Sequence, residues 1–238
     1  IQSGVEGYLK TEISSLEYDS RKISPNSIFF AIEGHDLDGH HFIPQALSNG
    51  AAAIVSERPA PADFPRTWLQ VESIRRDMAA MASRYFGNPS EQLRLAAVTG
   101  TNGKTTTASL IHSILDTAGP AVLMGTVETI VGEKVVESIR TTPEAPEIQK
   151  LLSCAIEQKC ESGVIEVSSH ALALDRVYGC RFEVGVFTNL TRDHLDFHET
   201  FERYLASKCQ LFNLSYNPAL RVAVLNGDDA NVVSCPLD

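Results

Sequence analysis

The sequence has 238 residues, 43% of them hydrophobic and 21% charged, and a formal net charge of −10 at pH 7, enough chain for one large or two medium domains. The acidic balance argues against a nucleic-acid or membrane-surface partner, which would need a basic footprint. No run of about 18 apolar residues occurs and no basic or apolar leader opens the chain, so neither a membrane span nor a signal peptide is expected, and the expected location is cytoplasmic.

In chain order, the first 88 residues read as a small α/β unit. Strands are expected at "SIFFAIEG", "AAIVSE" and "TWLQV", and helices over "FIPQALSNG" and "IRRDMAAMASRYFG", with "RPAPADFPR" as a proline-punctuated loop. The polar stretch "GNPSEQ" carries Gly and Pro and is taken as the boundary, giving domains 1–88 and 89–238. Beyond it, the strands "LRLAAV", "AVLMGTV", "GVIEVSS", "EVGVFTNL" and "RVAVLN" are interleaved with helices from Lys104, from Glu144 to Lys159 and from about Glu199. That alternation predicts a parallel sheet covered on both faces, with ligands beyond the carboxyl ends of its strands. The five cysteines (Cys154, Cys160, Cys180, Cys209, Cys235) are odd in number and form no C-x-x-C pair, so reduced structural thiols are expected.

The stretch "VTGTNGKTT" follows a strand and opens a helix, the setting of a phosphate loop, although Val98 stands where the common pattern has its first glycine. Backbone amides from Gly100, Thr101, Asn102, Gly103 and Thr106, with the ammonium of Lys104, would receive the phosphates of a nucleoside triphosphate, and the Thr105 hydroxyl would serve Mg²⁺. Glu166 stands alone among Val164, Ile165 and Val167, and a buried carboxylate needs a cation. Mg²⁺ is the economical partner, the alternative being an edge strand with Glu166 in water. The loop "TNLTRDHLDFH" collects Asn189, Asp193, His194, Asp196 and His198; spacing leaves His194 open between ligand and structural residue and favours a structural His198. Lys208 falls within the apolar stripe of Phe201, Tyr204, Leu205, Leu211 and Phe212. Such a lysine must be paired, neutral or modified, unless its stem snorkels at the edge of the stripe.

Taken in order, "YDSRKISPNSIFFAIEGHDLDGHHFIPQALSNGAAAIV", "VTGTNGKTTT", "TTPEAPEIQ", "IEVSSHALALDRV", "VFTNLTRDHLDFH" and "YLASKCQLF" resemble the Mur ligases, within them the branch that adds the third amino acid to UDP-N-acetylmuramoyl-L-alanyl-D-glutamate. The resemblance covers essentially the whole chain. It implies a UDP-binding α/β domain followed by a truncated parallel-sheet P-loop ATPase domain, the amino-acid-binding domain being absent. It implies an ATP-dependent amide-bond ligase, a monomer, that joins the UDP-N-acetylmuramoyl dipeptide to a diamino acid (meso-diaminopimelate or L-lysine) through an acyl phosphate. As catalytic residues it implies Lys104, Glu166, His194 and Lys208. Thr105, Glu166, His194 and Lys208, the last as a CO₂-derived carbamate, would hold Mg²⁺. Ser20, His35, Asp36 and Leu37 match the uridine pocket, and Thr141, Thr142, Ser168 and Arg176 match positions that hold the muramoyl dipeptide. Arg140 and Leu174 stand where members often carry Asn and Gln. Two other readings use the same motifs. One is a folylpolyglutamate-synthetase-like ligase, which lacks the "DSR … GHDLDGHHF" stretch; the other is a non-catalytic nucleotide or UDP-sugar module. The chain alone is expected not to complete ligation.

Overall fold

A computed structural model describes residues 12–34, 37–138 and 140–237; His35 and Asp36 therefore lie outside the described residues. Contacts group the chain into two units, Ile1–Met78 and Ala79–Asp238, divided inside a helix upstream of "GNPSEQ".

The first unit contains β1 (Leu16–Glu17), β2 (Ile28–Phe30), α1 (Ile43–Ser48), β3 (Ala53–Ser56), β4 (Thr67–Gln70) and the start of α2 (Ile74–Tyr85). The strands form one parallel sheet in the order β1-β2-β3-β4. Pro44 sits in the first turn of α1, where its missing N–H costs no hydrogen bond. Phe29, Ala31, Ala46, Ala51 and Ile54 build the core, with Trp68 packed against it.

The second unit runs β5 (Arg94–Thr99), α3 (Lys104–Asp116), β6 (Ala121–Met124), β7 (Glu128–Val131), β8 (Lys134–Glu137), α4 (Ala145–Glu157), β9 (Ser162–Glu166), α5 (Ser169–Ala173), β10 (Phe182–Phe187), α6 (Leu195–His198), α7 (Phe201–Cys209), β11 (Val222–Leu225) and α8 (Ala230–Val233). Its sheet order is β11-β10-β5-β9-β6-β7-β8. The first five strands are parallel, and β7 and β8 extend the sheet antiparallel. Side-chain alternation sends Leu95, Ala97, Val122, Met124 and Ile165 to one face, against Ile148 and Leu152 of α4 and Tyr204 of α7. Val98, Leu123 and Val164 go to the other, against Ala108 of α3.

The expected parallel sheet with both faces covered is present. The β7–β8 hairpin was not expected, nor was α5, which begins where the "GVIEVSS" strand was drawn to continue. The helix expected from about Glu199 is α7, which starts at Phe201; the short α6 before it was not expected. Thr200 caps α7 by accepting from Arg203 N. Cys209, at the end of α7, and Cys235 have Cα atoms 5.7 Å apart and are joined as a disulfide, a span a disulfide accommodates; Cys154, Cys160 and Cys180 are free. The expectation of reduced thiols thus holds for three of the five. Among the described residues no helix is long and apolar enough to cross a membrane.

Candidate nucleotide and metal site

Sheet order decides what meets the glycine-rich loop. β5 runs into that loop and lies between β10 and β9, so the carboxyl ends of those two strands flank it. Gly100 has φ +146°, and a Cβ there would stand 1.9 Å from Thr188 Oγ1; only glycine lets the loop pass this close to the end of β10. Gly103 has φ +80° with no atom within 4 Å of a Cβ position. It is the N-cap of α3 and supplies no side-chain cap. The first-turn amides of α3 have no intrahelical acceptor by construction, so this end of the helix is an open cradle for anionic oxygens. Asn189, after β10, pins the loop: its carbonyl accepts from Thr101 N at 2.9 Å, its Oδ1 accepts from Asn102 N at 2.9 Å, and its Nδ2 donates to Asn102 O at 3.0 Å. Lys104 folds back, donating from Nζ to Gly100 O at 2.9 Å and Thr101 O at 2.8 Å. Burial lowers the pKa of this amine, against the opposing pull of Glu166 and Asp193. Thr106 is exposed on the first turn of α3.

Glu166 closes β9 opposite Val98 in the register and is 1% exposed. Its strand lies between β5 and β6, which removes the alternative of a water-facing edge. The carboxylate accepts from Thr105 Oγ1 at 3.0 Å, Thr126 N at 2.9 Å and Thr126 Oγ1 at 3.1 Å. Among the described residues it makes no ion pair. A buried carboxylate held by hydroxyls and an amide beside a phosphate cradle has the oxygen chemistry that Mg²⁺ prefers, so these residues fit the ion. No group of three or more His, Cys, Asp or Glu side chains gathers for a metal among the described residues; the donor set here is one carboxylate with hydroxyls.

Lys208 is 1% exposed, which excludes the snorkelling alternative. Its Nζ donates to Gly100 O at 2.8 Å, the carbonyl that Lys104 also holds, and lies 4.8 Å from the centre of the Tyr204 ring. Burial, reinforced by the Lys104 charge, lowers its pKa to about 7. Tyr204, one turn before Lys208 and also fully buried, shares a hydrogen bond of 3.0 Å with Thr101 Oγ1 and packs its ring 6.3 Å from that of His194. It is the hub joining loop, lysine and histidine. His194 is the left-handed N-cap of α6, with its ring about half exposed, Nε2 3.5 Å from Asp193 Oδ2, and His170 edge-on at 4.7 Å. His198 is buried with Nδ1 3.3 Å from Ser207 Oγ. Its pKa falls to about 4 through burial and the neighbouring His170 and Lys208, so it stays neutral as a structural residue.

A continuous polar chain leads from Glu166 to the residues matched to the peptide. Thr126 Oγ1 lies 3.1 Å from Thr141 Oγ1. Thr142 Oγ1 donates to Glu166 O at 2.8 Å and accepts from Ser168 N at 3.1 Å. Ser168 caps α5 by accepting from Ala171 N at 3.1 Å. Arg176 donates from Nη1 to Thr142 O at 3.2 Å and pairs through Nε with Glu144 Oε1 at 2.9 Å. In the first unit, Ser20 is buried and donates to Gln45 Oε1 at 2.7 Å, while Leu37 is 68% exposed. Sequence reasoning gave no role in the site to Thr126 or Glu144, and it used Tyr204 only as a stripe residue. Glu144, two residues after Thr142 and opening α4, carried the one readable signal, an acid at a helix start.

A parallel α/β sheet with a glycine-turn anion cradle on one strand and a buried acid on the next defines a phosphate-loop nucleotide-binding protein. The Mur ligase middle-domain model matches residues 98–235, and the model described as Mur ligase family, catalytic domain, matches residues 12–86. The chain belongs to the Mur ligase family. It is 48% identical over 225 residues to UDP-N-acetylmuramoyl-L-alanyl-D-glutamate--2,6-diaminopimelate ligase 1 of Clostridium acetobutylicum, covering 94% of this chain and 45% of that protein. A solved structure of a UDP-N-acetylmuramoyl-L-alanyl-D-glutamate--2,6-diaminopimelate ligase superimposes with a TM-score of 0.79 at 33% identity, over 93% of this chain and 44% of the other. MurF ligase from Thermotoga maritima in complex with ADP gives 0.57 at 25% identity, over 92% and 46%. The chain thus spans about half the length of these relatives.

Proposed function

We propose that this chain is the nucleotide- and UDP-substrate-binding part of an ATP-dependent ligase that adds meso-diaminopimelate or L-lysine to UDP-N-acetylmuramoyl-L-alanyl-D-glutamate. The observation that carries the reading is the convergence on one loop: Thr105 bonded to buried Glu166, and Lys104 and Lys208 sharing Gly100 O. The relatives' names supply the substrate, and the ADP complex of a relative supports ATP as the nucleotide. The division into a UDP-substrate domain and an ATP domain is part of the proposal. So is placing the uridine nucleotide at Ser20, His35, Asp36 and Leu37 and the peptide at Thr141, Thr142, Ser168 and Arg176.

In this reading the amides of Gly100–Thr106 and the Lys104 ammonium would hold the phosphates, and Glu166, Thr105, His194 and Lys208 would hold Mg²⁺. The bound ion supplies charge neutralisation between the substrate carboxylate and the triphosphate, two anions that must approach each other. Lys208 contributes through its neutral amine, which adds to CO₂, forms a C–N bond and releases a proton, so that a buried cation becomes an anionic carbamate. Thr142 and Ser168 fix the end of β9, so that Glu166 stays aimed at the loop while the γ-phosphoryl group passes to the D-glutamate side-chain carboxylate. The incoming amine then displaces phosphate. Calorimetric titration of the chain with UDP-N-acetylmuramoyl-L-alanyl-D-glutamate, with a pteroyl-glutamate as control, tests the substrate assignment. Saturable binding of the first alone supports it, and preference for the pteroyl ligand overturns it.

A further inference from the structure

The turn that carries His194 has little to hold it. Between Leu190 and Phe201 every residue except His198 is exposed. α6 is a single turn of four residues, and a helix that short has no stability of its own. Its two large apolar side chains, Leu195 and Phe197, are 37% and 39% exposed. His198 is the buried anchor, and a second ring meets the turn from α5, that of His170. The His170 ring centre lies 4.7 Å from that of His194, edge-on at 83°, 4.2 Å from that of Phe197 and 5.5 Å from that of His198. Residues 194, 197 and 198 stand at i, i+3 and i+4, one face of a helical turn, so His170 seats against that face of α6. The polar partner of the His194 ring, Asp193, is itself 47% exposed, and its other ring neighbour, Tyr204, is farther away at 6.3 Å.

His170 can serve as a fixed reference because its own helix is anchored. α5 follows β9 directly, Ser168 caps it, and its Ser169, Ala171 and Leu172 are buried, while His170 is half-buried against α6. A half-exposed histidine on a weakly held turn presents its imidazole in several directions, and binding a metal must then remove that freedom at a cost in affinity. Edge-to-face packing against a ring on a core-packed helix removes part of it beforehand. The three histidines do not themselves make a metal site: among the described residues no group of three or more His, Cys, Asp or Glu side chains could hold an ion. We infer that His170 is a positioning residue, whose ring holds α6 and the His194 imidazole in the orientation in which His194 serves Mg²⁺. The inference rests on the proposal that His194 holds the metal. It makes one short segment, from Glu166 to His170, set both the carboxylate and the histidine of the site.

The test is a double-mutant cycle on the 238-residue chain, read by calorimetric titration with a non-hydrolysable ATP analogue in the presence and absence of Mg²⁺. His170→Ala should lower the Mg²⁺-dependent gain in affinity by about two- to tenfold, the scale of one aromatic contact, and leave metal-free binding unchanged. His170→Phe keeps a ring in place and should keep most of the gain. In a His194→Ala background, His170→Ala should have no further effect, because the imidazole it orients is gone. Thermal unfolding of each variant checks that the fold is intact. Four results overturn the inference while leaving the metal assignment of His194 in place: a gain that His194→Ala lowers and His170→Ala does not, a His170→Ala loss of equal size in both backgrounds, an equal fall in metal-free binding, or His170→Phe as damaging as His170→Ala. A gain untouched by His194→Ala removes the assignment of His194 to the metal, and the inference falls with it.

Discussion

Replacing Lys208 with Met removes a buried charge and keeps most of the volume. In the wild type the folded amine loses its proton near pH 7 instead of at the ordinary 10.5, because burial penalises the ammonium form. The sign follows from proton counting. Between these two values the unfolded chain binds the proton and the folded chain does not, so stability climbs with pH across that window. Below about pH 7 both states are protonated and the whole penalty is present. Taken wholly in the folded state, the interval corresponds to about 5 kcal/mol, and relaxation around buried charges brings typical gains on apolar replacement to about 1–4 kcal/mol. The substitution orphans no acceptor, since Gly100 O keeps its bond from Lys104 Nζ at 2.9 Å. In CO₂-free buffer, Lys208→Met should therefore be the more stable protein by about 1–4 kcal/mol at roughly pH 6, and the advantage should shrink toward zero by about pH 10. Urea unfolding followed by circular dichroism at several pH values reads both quantities. A variant less stable than wild type at low pH, or an advantage independent of pH, would refute the argument that the amine carries a desolvation penalty.

Three further outcomes follow from the same geometry. With ¹³C-bicarbonate, the wild type should give a carbamate carbonyl resonance that disappears in Lys208→Met; a resonance surviving in the variant would assign it elsewhere. Gly100→Ala should destabilise the fold by about 2 kcal/mol or more, because its Cβ meets Thr188 Oγ1 at 1.9 Å in a conformation alanine resists. Gly103→Ala, in open space, should cost only about 1 kcal/mol, and comparable losses in denaturation midpoint for the two would contradict the loop description. Thr142→Val removes the hydroxyl shared by Glu166 O and Ser168 N and should cost about 1–3 kcal/mol by leaving buried backbone groups unpaired, read as a fall in thermal midpoint.

The alternation of apolar runs and amphipathic helices made the parallel sheet readable, and two rules of burial made the site readable. Glu166 among valines and isoleucine, and Lys208 in an apolar stripe, each announced a charge that needs a partner, and both are buried beside the same loop. What was not legible depends on tertiary contact. Tyr204 looked like one more stripe residue, and only the fold shows its hydroxyl on Thr101. Thr126 follows a strand in a run with no motif, and it meets Glu166 because β6 pairs with β9. The β7–β8 hairpin broke the βα alternation, and Val135 and Val136 on its outer strand are both exposed, so no burial pattern marked β8. The short α5 continued an apolar run already assigned to a strand, and its start is fixed by the Ser168 cap, which periodicity does not register.

The central claim is that the Gly100–Thr105 turn and buried Glu166 together make one Mg²⁺–nucleotide site. Calorimetric titration of the wild type and Glu166→Gln with a non-hydrolysable ATP analogue, with and without Mg²⁺, tests it directly. The wild type should bind in a Mg²⁺-dependent manner, and Glu166→Gln should lose the metal-dependent part by about tenfold or more while keeping metal-free binding. Binding that ignores Mg²⁺ in the wild type, or Mg²⁺ dependence untouched by Glu166→Gln, would contradict the account.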